Sequence, residues 1–145
     1  MISILVDSIP SIEISYNQGI IKSLLTAVFT KERIAAADLN LIFCDDEFLS
    51  DMKKRFFGVS QWTDVIAFRL NDEDKSNIEG EIYISLPRVI DNAATYNEPV
   101  KKELARVIIH GGLHLIGYDD IEESDKTIMR GRELEFLEQF DWNSL

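Results

Sequence analysis

The chain has 145 residues, 46% of them hydrophobic and 28% charged, a length suited to one domain that buries roughly two-thirds of the surface its unfolded chain would expose. No run approaches the roughly 18 apolar residues of a membrane span, and the N-terminal MISILVDSIPS lacks the basic start and small-residue cleavage site of a secretory signal; a soluble, cytoplasmic protein is expected. A net charge of −11 with a pI of about 4.5 is the opposite of the basic face that nucleic-acid binders usually carry, so any RNA contact is confined to a local patch.

In chain order, ISILV reads as a strand and NQGIIKSLLTAVFTKE as a helix capped by Asn17, with Ile20, Ile21, Leu24 and Val28 on one face. ADLNLIFC is a second strand; it ends on Cys44, the one cysteine, whose apolar neighbours mark a buried, inert thiol. A short helix is expected from about Asp46 to Phe56. DVIAFRL and EIYISL then read as strands, separated by the polar turn NDEDKSNIEG in a hairpin with a long loop. From Pro87 onward the pattern is helical. One helix is predicted over Pro87 to Thr95 and a second over Glu98 to Ile116, each with a proline in its first turn. A last helix should run from Glu123 to Phe140, with Ser124 or Glu122 near its start. There is no repeat and no linker within 1–145, so the expectation is a single α+β domain: a small mixed sheet of about four strands packed against helices.

Both histidines of the chain fall in HGGLHLIGYDD, at His110 and His114. Four residues advance a helix by about 400°, so the two imidazoles share one face and can converge on one ion. Gly117 can adopt the left-handed conformation that ends a helix, and the turn brings Asp119 and Asp120 back toward that face. Two imidazoles and a carboxylate suit a divalent first-row metal, and three protein ligands leave a position open, as catalytic sites do. Gly111 and Gly112 lie inside the helix, each costing about 1 kcal/mol relative to alanine, a departure expected at functional sites. The spacing matches the zinc-protease pattern HExxHxxGxxH, with Gly111 in place of the glutamate and Asp120 in place of the third histidine. Loss of that glutamate, the general base of the peptidases, argues against proteolysis.

HGGLHLIGYDD also resembles the signature HGxLHLxGYDH of the bacterial YbeY family, the endoribonucleases of rRNA maturation. Upstream, WTDVIAFRL resembles the family's TDVLSFP strand, and GEIYISLPRVIDNAATYN its GDI-type strand and following helix. The likeness covers Phe48 to Met129. It implies a zincin-like fold with the metal on a helix and the turn after it, His110 and His114 as zinc ligands, and position 120 as the third. It further implies a single-strand-specific, metal-dependent endoribonuclease in the cytoplasm. Such an enzyme matures the 3′ end of small-subunit (16S) rRNA and serves ribosome quality control, with the small subunit and its proteins as partners.

Three departures from the family pattern stand out. Asp120 replaces the usual histidine, which makes the ligand set harder and brings iron, manganese or nickel into competition with zinc. Aligning on Thr63 places Phe57 where the family often has an arginine, with Arg55 the nearest substitute. Ala67 stands where serine is common. A metal-activated water needs no Ser or Cys nucleophile; Asp119, Asp64 and Glu103 are the carboxylates that could accept a proton, and Glu103, seven residues before His110 on the same helix face, also suits a supporting role. The basic groups nearest the site in sequence are Arg88, Lys101, Lys102 and Arg106, followed by Lys53, Lys54 and Arg55, with Lys126, Arg130 and Arg132 forming a further cluster. Two other readings stay open: a ribosome assembly factor with a mainly structural metal, and a non-haem iron enzyme using the two histidines and the carboxylate as a facial triad.

Overall fold

The computed structural model describes residues 1–60, 62–72 and 76–145, so the middle of the turn NDEDKSNIEG, 73–75, lies outside the described residues. The elements follow in the order β1 (Ile2–Ser8), α1 (Gln18–Lys31), β2 (Ala36–Cys44), α2 (Asp46–Phe57), β3 (Val65–Arg69), β4 (Asn77–Ser85), α3 (Leu86–Thr95), α4 (Val100–Ile116) and α5 (Glu123–Gln139), closing on a 3-10 turn at Trp142–Ser144. The local signals act as chemistry requires. Asn17 accepts the Ile20 N–H at 3.2 Å and Asp45 the Phe48 N–H at 2.8 Å, each supplying an acceptor to an orphan helix amide. Gly58 ends α2 at φ 68°, a conformation cheap only without a Cβ.

The sheet order is β1-β2-β4-β3, with β1, β2 and β4 parallel and β3 antiparallel on the β4 edge. Strand β4 begins at Asn77 and not at Glu81, because the polar NIEG already pairs with β2 from Ala36↔Asn77 to Leu39↔Gly80. Side chains alternate across the sheet, as the two-residue period demands. Val65, Ala67, Ile82 and Ile84 face the main core under α1 and α4, while Ile66, Phe68 and Tyr83 turn to a smaller cluster with Cys44 and Leu49 of α2. Burial, with Asp45 and Asp46 nearby, pushes the Cys44 thiol up to about 12, which fits the inert cysteine expected.

Helix α4 runs through the centre, with Leu104, Val107, Ile108, Ile109, Leu113 and Leu115 all buried. A helix apolar on nearly every side is one enclosed by neighbours. Its two glycines have a packing cause. A Cβ on Gly111 would stand 2.8 Å from Ile82 Cγ2, and one on Gly112 would stand 3.1 Å from Leu25 Cδ2. They let α4 approach β4 and α1, so the expectation that they mark the functional site is corrected: close contact explains both. Gly80 completes the arrangement from the sheet side, where a Cβ would meet Leu115 and the Phe68 carbonyl at 2.9 Å. Helix α4 itself begins two residues later than expected, at Val100 with Pro99 as its cap residue. Among the described residues, no helix is long and apolar enough to cross a membrane.

Candidate metal centre

The last two turns of α4 carry His110 and His114, whose rings lie 4.7 Å apart between centroids at 76°. Gly117 ends the helix at φ 124°, its N–H bonded to the carbonyls of Leu113 and His114 at 3.1 Å, and the chain folds back. Asp120 Oδ2 then stands 3.3 Å from Nε2 of both histidines. The three donors lie within 4.8 Å of one another. Two tetrahedral ligands about 2.0–2.1 Å from a zinc ion are roughly 3.3 Å apart, so the spacing suits a small divalent cation with little rearrangement. His110, His114 and Asp120 could therefore hold a metal, and the sequence-based grouping and its register agree with this geometry.

Support for these groups comes from α5, which sequence reasoning left out. Glu133 Oε2 accepts from His110 Nδ1 at 2.7 Å. An N–H on Nδ1 suits this carboxylate, and a metal would then be held by Nε2, which faces Asp120 and His114. Glu133 is 4% exposed. Burying that charge is costly unless it is paired, and Arg106 pairs it: its guanidinium reaches Glu133 Oε1 at 3.1 Å, Asp64 Oδ2 at 3.5 Å, and Glu103 through a closer contact. Burial works against the charge of Arg106, but the three carboxylates, Glu103 foremost, prevail and hold its pKa above the ordinary value. The signal for Glu133 was present. Met129, Glu133, Phe136 and Leu137 form the buried face of α5, and a lone charge on an apolar stripe needs a partner.

A second strut fixes the turn. The Tyr118 hydroxyl donates to both oxygens of Glu32 at 3.0 and 3.2 Å, and Arg132 closes on the same carboxylate. Burial and then the Glu32 contact raise the Tyr118 pKa. The loop between α4 and α5 is thus tied to the end of α1, two residues before Asp120.

The histidines open onto a cleft of roughly 450 Å³ whose other wall comes from the α2–β3 region, including Lys53, Phe57, Thr63, Asp64 and Ala67. Phe57, Ala67 and Asp120, the positions where the sequence departs from its resemblance, all line it. Arg55 does not replace Phe57: it faces a different groove, with Phe48, Asp51, Met52 and Phe56. A further recess on the opposite side of His110 is lined by Lys126, Arg130 and Glu133. Of the three carboxylates considered as proton acceptors, Glu103 is 4% exposed and ion-paired, and Asp64 is held by Asn92 at 3.3 Å and by Arg106. Asp119 lines the cleft, with one oxygen accepting the Asp120 N–H at 2.8 Å.

The basic groups placed first by sequence proximity are engaged elsewhere, which corrects that expectation. Arg88 pairs with Asp46 at 2.8 Å and Lys102 with Glu98 at 3.2 Å, while Lys101 donates to the Asn143 carbonyl at 3.1 Å. Arg106 is enclosed by carboxylates. Lys101 and Lys102 also sit at the far end of α4, about 12 Å or more from His110 at 1.5 Å per residue.

Known proteins share this arrangement of elements and sequence. The model of a family described as Endoribonuclease YbeY matches residues 7–141. A protein of Cytophaga hutchinsonii named endoribonuclease YbeY is 44% identical over 113 residues, 78% of this chain and 78% of its own. Another of that name from Karelsulcia muelleri is 41% identical over 118 residues, 81% of this chain and 82% of its own. The solution structure of TM1509 from Thermotoga maritima superposes with a TM-score of 0.64 at 31% identity, covering 96% of this chain and 88% of that one.

Proposed function

Because the chain belongs to the endoribonuclease YbeY family, we propose that it is a metal-dependent hydrolase that cuts single-stranded RNA, with rRNA of the small ribosomal subunit as its substrate in the cytoplasm. The observation that carries the reading is the convergence of His110, His114 and Asp120 on one point at the mouth of an open cleft. A structural zinc site is closed by four protein ligands; three donors facing solvent suit catalysis.

His110, His114 and Asp120 would hold the ion, which we take to be Zn²⁺, with iron and manganese as the competitors that a carboxylate ligand admits. What such an ion supplies when bound is Lewis acidity toward a phosphoryl oxygen and a water acidified to a pKa of about 7. The protein groups do the remainder. Glu133 holds the His110 proton on Nδ1 and keeps the ring oriented. Arg106 offsets part of the carboxylate charge behind the ring, which lessens the repulsion a phosphate would meet there. Asp119, in the cleft and only partly engaged, is the group placed to take a proton from an attacking water. Lys53 borders the first recess, and Lys126 and Arg130 the second; a strand crossing the site would meet cations from both.

The test is cleavage of a short single-stranded RNA and of its duplex by protein purified without an affinity tag, before chelation, after it, and after metal is added back, with elemental analysis of each sample. Cutting of the single strand alone, lost on chelation and restored by metal, is expected. Intact RNA in the presence of fully metal-loaded protein would reject the reading.

A further inference from the structure

Among its described lining residues the cleft has one lysine, Lys53, and one phenylalanine, Phe57. Phe56 is 61% exposed, Phe57 52% and Trp62 59%, large aromatic surfaces left open to solvent. Phe57 differs from its neighbours in position: it lines the same cleft as His110, His114 and Asp120. Its ring is also braced. Phe68 of β3 stacks on it at 5.8 Å and 18° and is itself met edge-on by Phe56 at 5.5 Å and 70°. A ring fixed in this way loses little conformational freedom when it binds something, and half of it stays open to solvent without contributing to the main core.

Resting on the reading of the cleft as an RNA site, we propose that Phe57 is a nucleobase-stacking residue that takes an unpaired base beside the phosphodiester presented to His110, His114 and Asp120. The occupant follows from the surroundings. Lys53 Nζ lies over the Phe57 ring, 5.7 Å from its centroid, so the ring carries a flexible cation that an incoming base would displace toward the phosphate attached to it. Stacking asks nothing of the net charge. In a chain at −11 it is the interaction that can hold a polyanion where charge attraction cannot, because every base has a π-face. It also selects for single strands, since the base must leave its helix to reach the ring. The strand is therefore gripped by an aromatic contact next to the scissile bond, with few phosphates neutralised.

The experiment uses the metal-loaded protein and a short single-stranded RNA carrying 2-aminopurine, whose fluorescence falls on stacking. Binding is followed by rapid mixing before cleavage, and KM is followed by product formation, for the unmodified chain, Phe57→Ala, Phe57→Leu and Phe57→Trp. Quenching should be present in the unmodified chain and Phe57→Trp and absent in the other two, whose KM should rise roughly tenfold. The rise should be the same at low and high salt, while Lys53→Ala should make the salt slope shallower by about 0.7. Thermal melts of Phe57→Leu establish that the fold persists. A Leu variant that quenches and binds like the unmodified chain, or a loss in Phe57→Ala that vanishes at high salt, overturns the stacking role and leaves the aromatic cluster to a protein partner. Should the unmodified chain quench the probe yet leave it uncut, the hydrolase reading fails and the stacking role stands.

Discussion

The carboxylate that orients His110 lies 23 residues downstream of it, at Glu133, and removing its charge tests the support without touching a ligand. Glu133→Gln keeps the shape and can still accept a hydrogen bond, but no longer stabilises the ring electrostatically; metal affinity should fall by about 10–100-fold, read by competition with a chromophoric chelator. His110→Ala or His114→Ala should abolish stoichiometric binding in the same assay. Asp120 offers a sharper comparison. Asp120→His restores a third imidazole and should keep or raise zinc affinity while lowering that for manganese, whereas Asp120→Asn removes the charge and should weaken both. If Asp119→Ala does the greater damage, the third donor is one residue earlier than the 3.3 Å contacts of Asp120 indicate.

At the level of elements, α4 is both the core of the fold and the bearer of the site, and its glycines make the two inseparable. Gly111→Ala pushes a methyl to within 2.8 Å of Ile82. Overpacking of this kind should cost about 1–3 kcal/mol despite the better helix propensity of alanine, seen as a lower urea midpoint, and should loosen the metal as α4 shifts from β4. Nearly every element was legible in the sequence, because the periodicities of α1, β2 and α4 are strong and their caps are standard. The start of β4 was not: Asn77 and Glu79 read as turn residues, and only pairing with β2 makes them strand. The grouping of His110, His114 and Asp120 was legible for a related reason, as they lie within one helical turn and the reversal after it. Glu133, Glu32 and Arg106 act across 23 residues or more, or through ion pairs among three helices and a loop, and no local pattern encodes such partnerships. Gly111 and Gly112 misled because a packing need and a functional need leave the same mark on a sequence.

For the molecule as a whole, the question is where a polyanion can approach an acidic surface. Lys101 and Lys102 are bound to Asn143 and Glu98 at the far end of α4, so Lys101→Glu/Lys102→Glu should leave RNA affinity and its salt dependence unchanged. Lys53→Glu, which reverses the charge beside Phe57, should weaken binding severalfold at low salt, with the difference shrinking as salt rises. Overall the slope should correspond to about two to four phosphates, measured by fluorescence anisotropy with short single-stranded RNA.

The wall of the cleft that carries His110, His114, Asp119 and Asp120 is one contiguous stretch of chain, while the facing wall with Lys53, Phe57 and Ala67 comes from another. Change can therefore accumulate in one wall while the other stays fixed. Replacing α2 while keeping Asp64, which pairs with Arg106, should move the protein between charge-led and aromatic-led capture of its strand, and so between targets, with His110, His114 and Asp120 inherited intact.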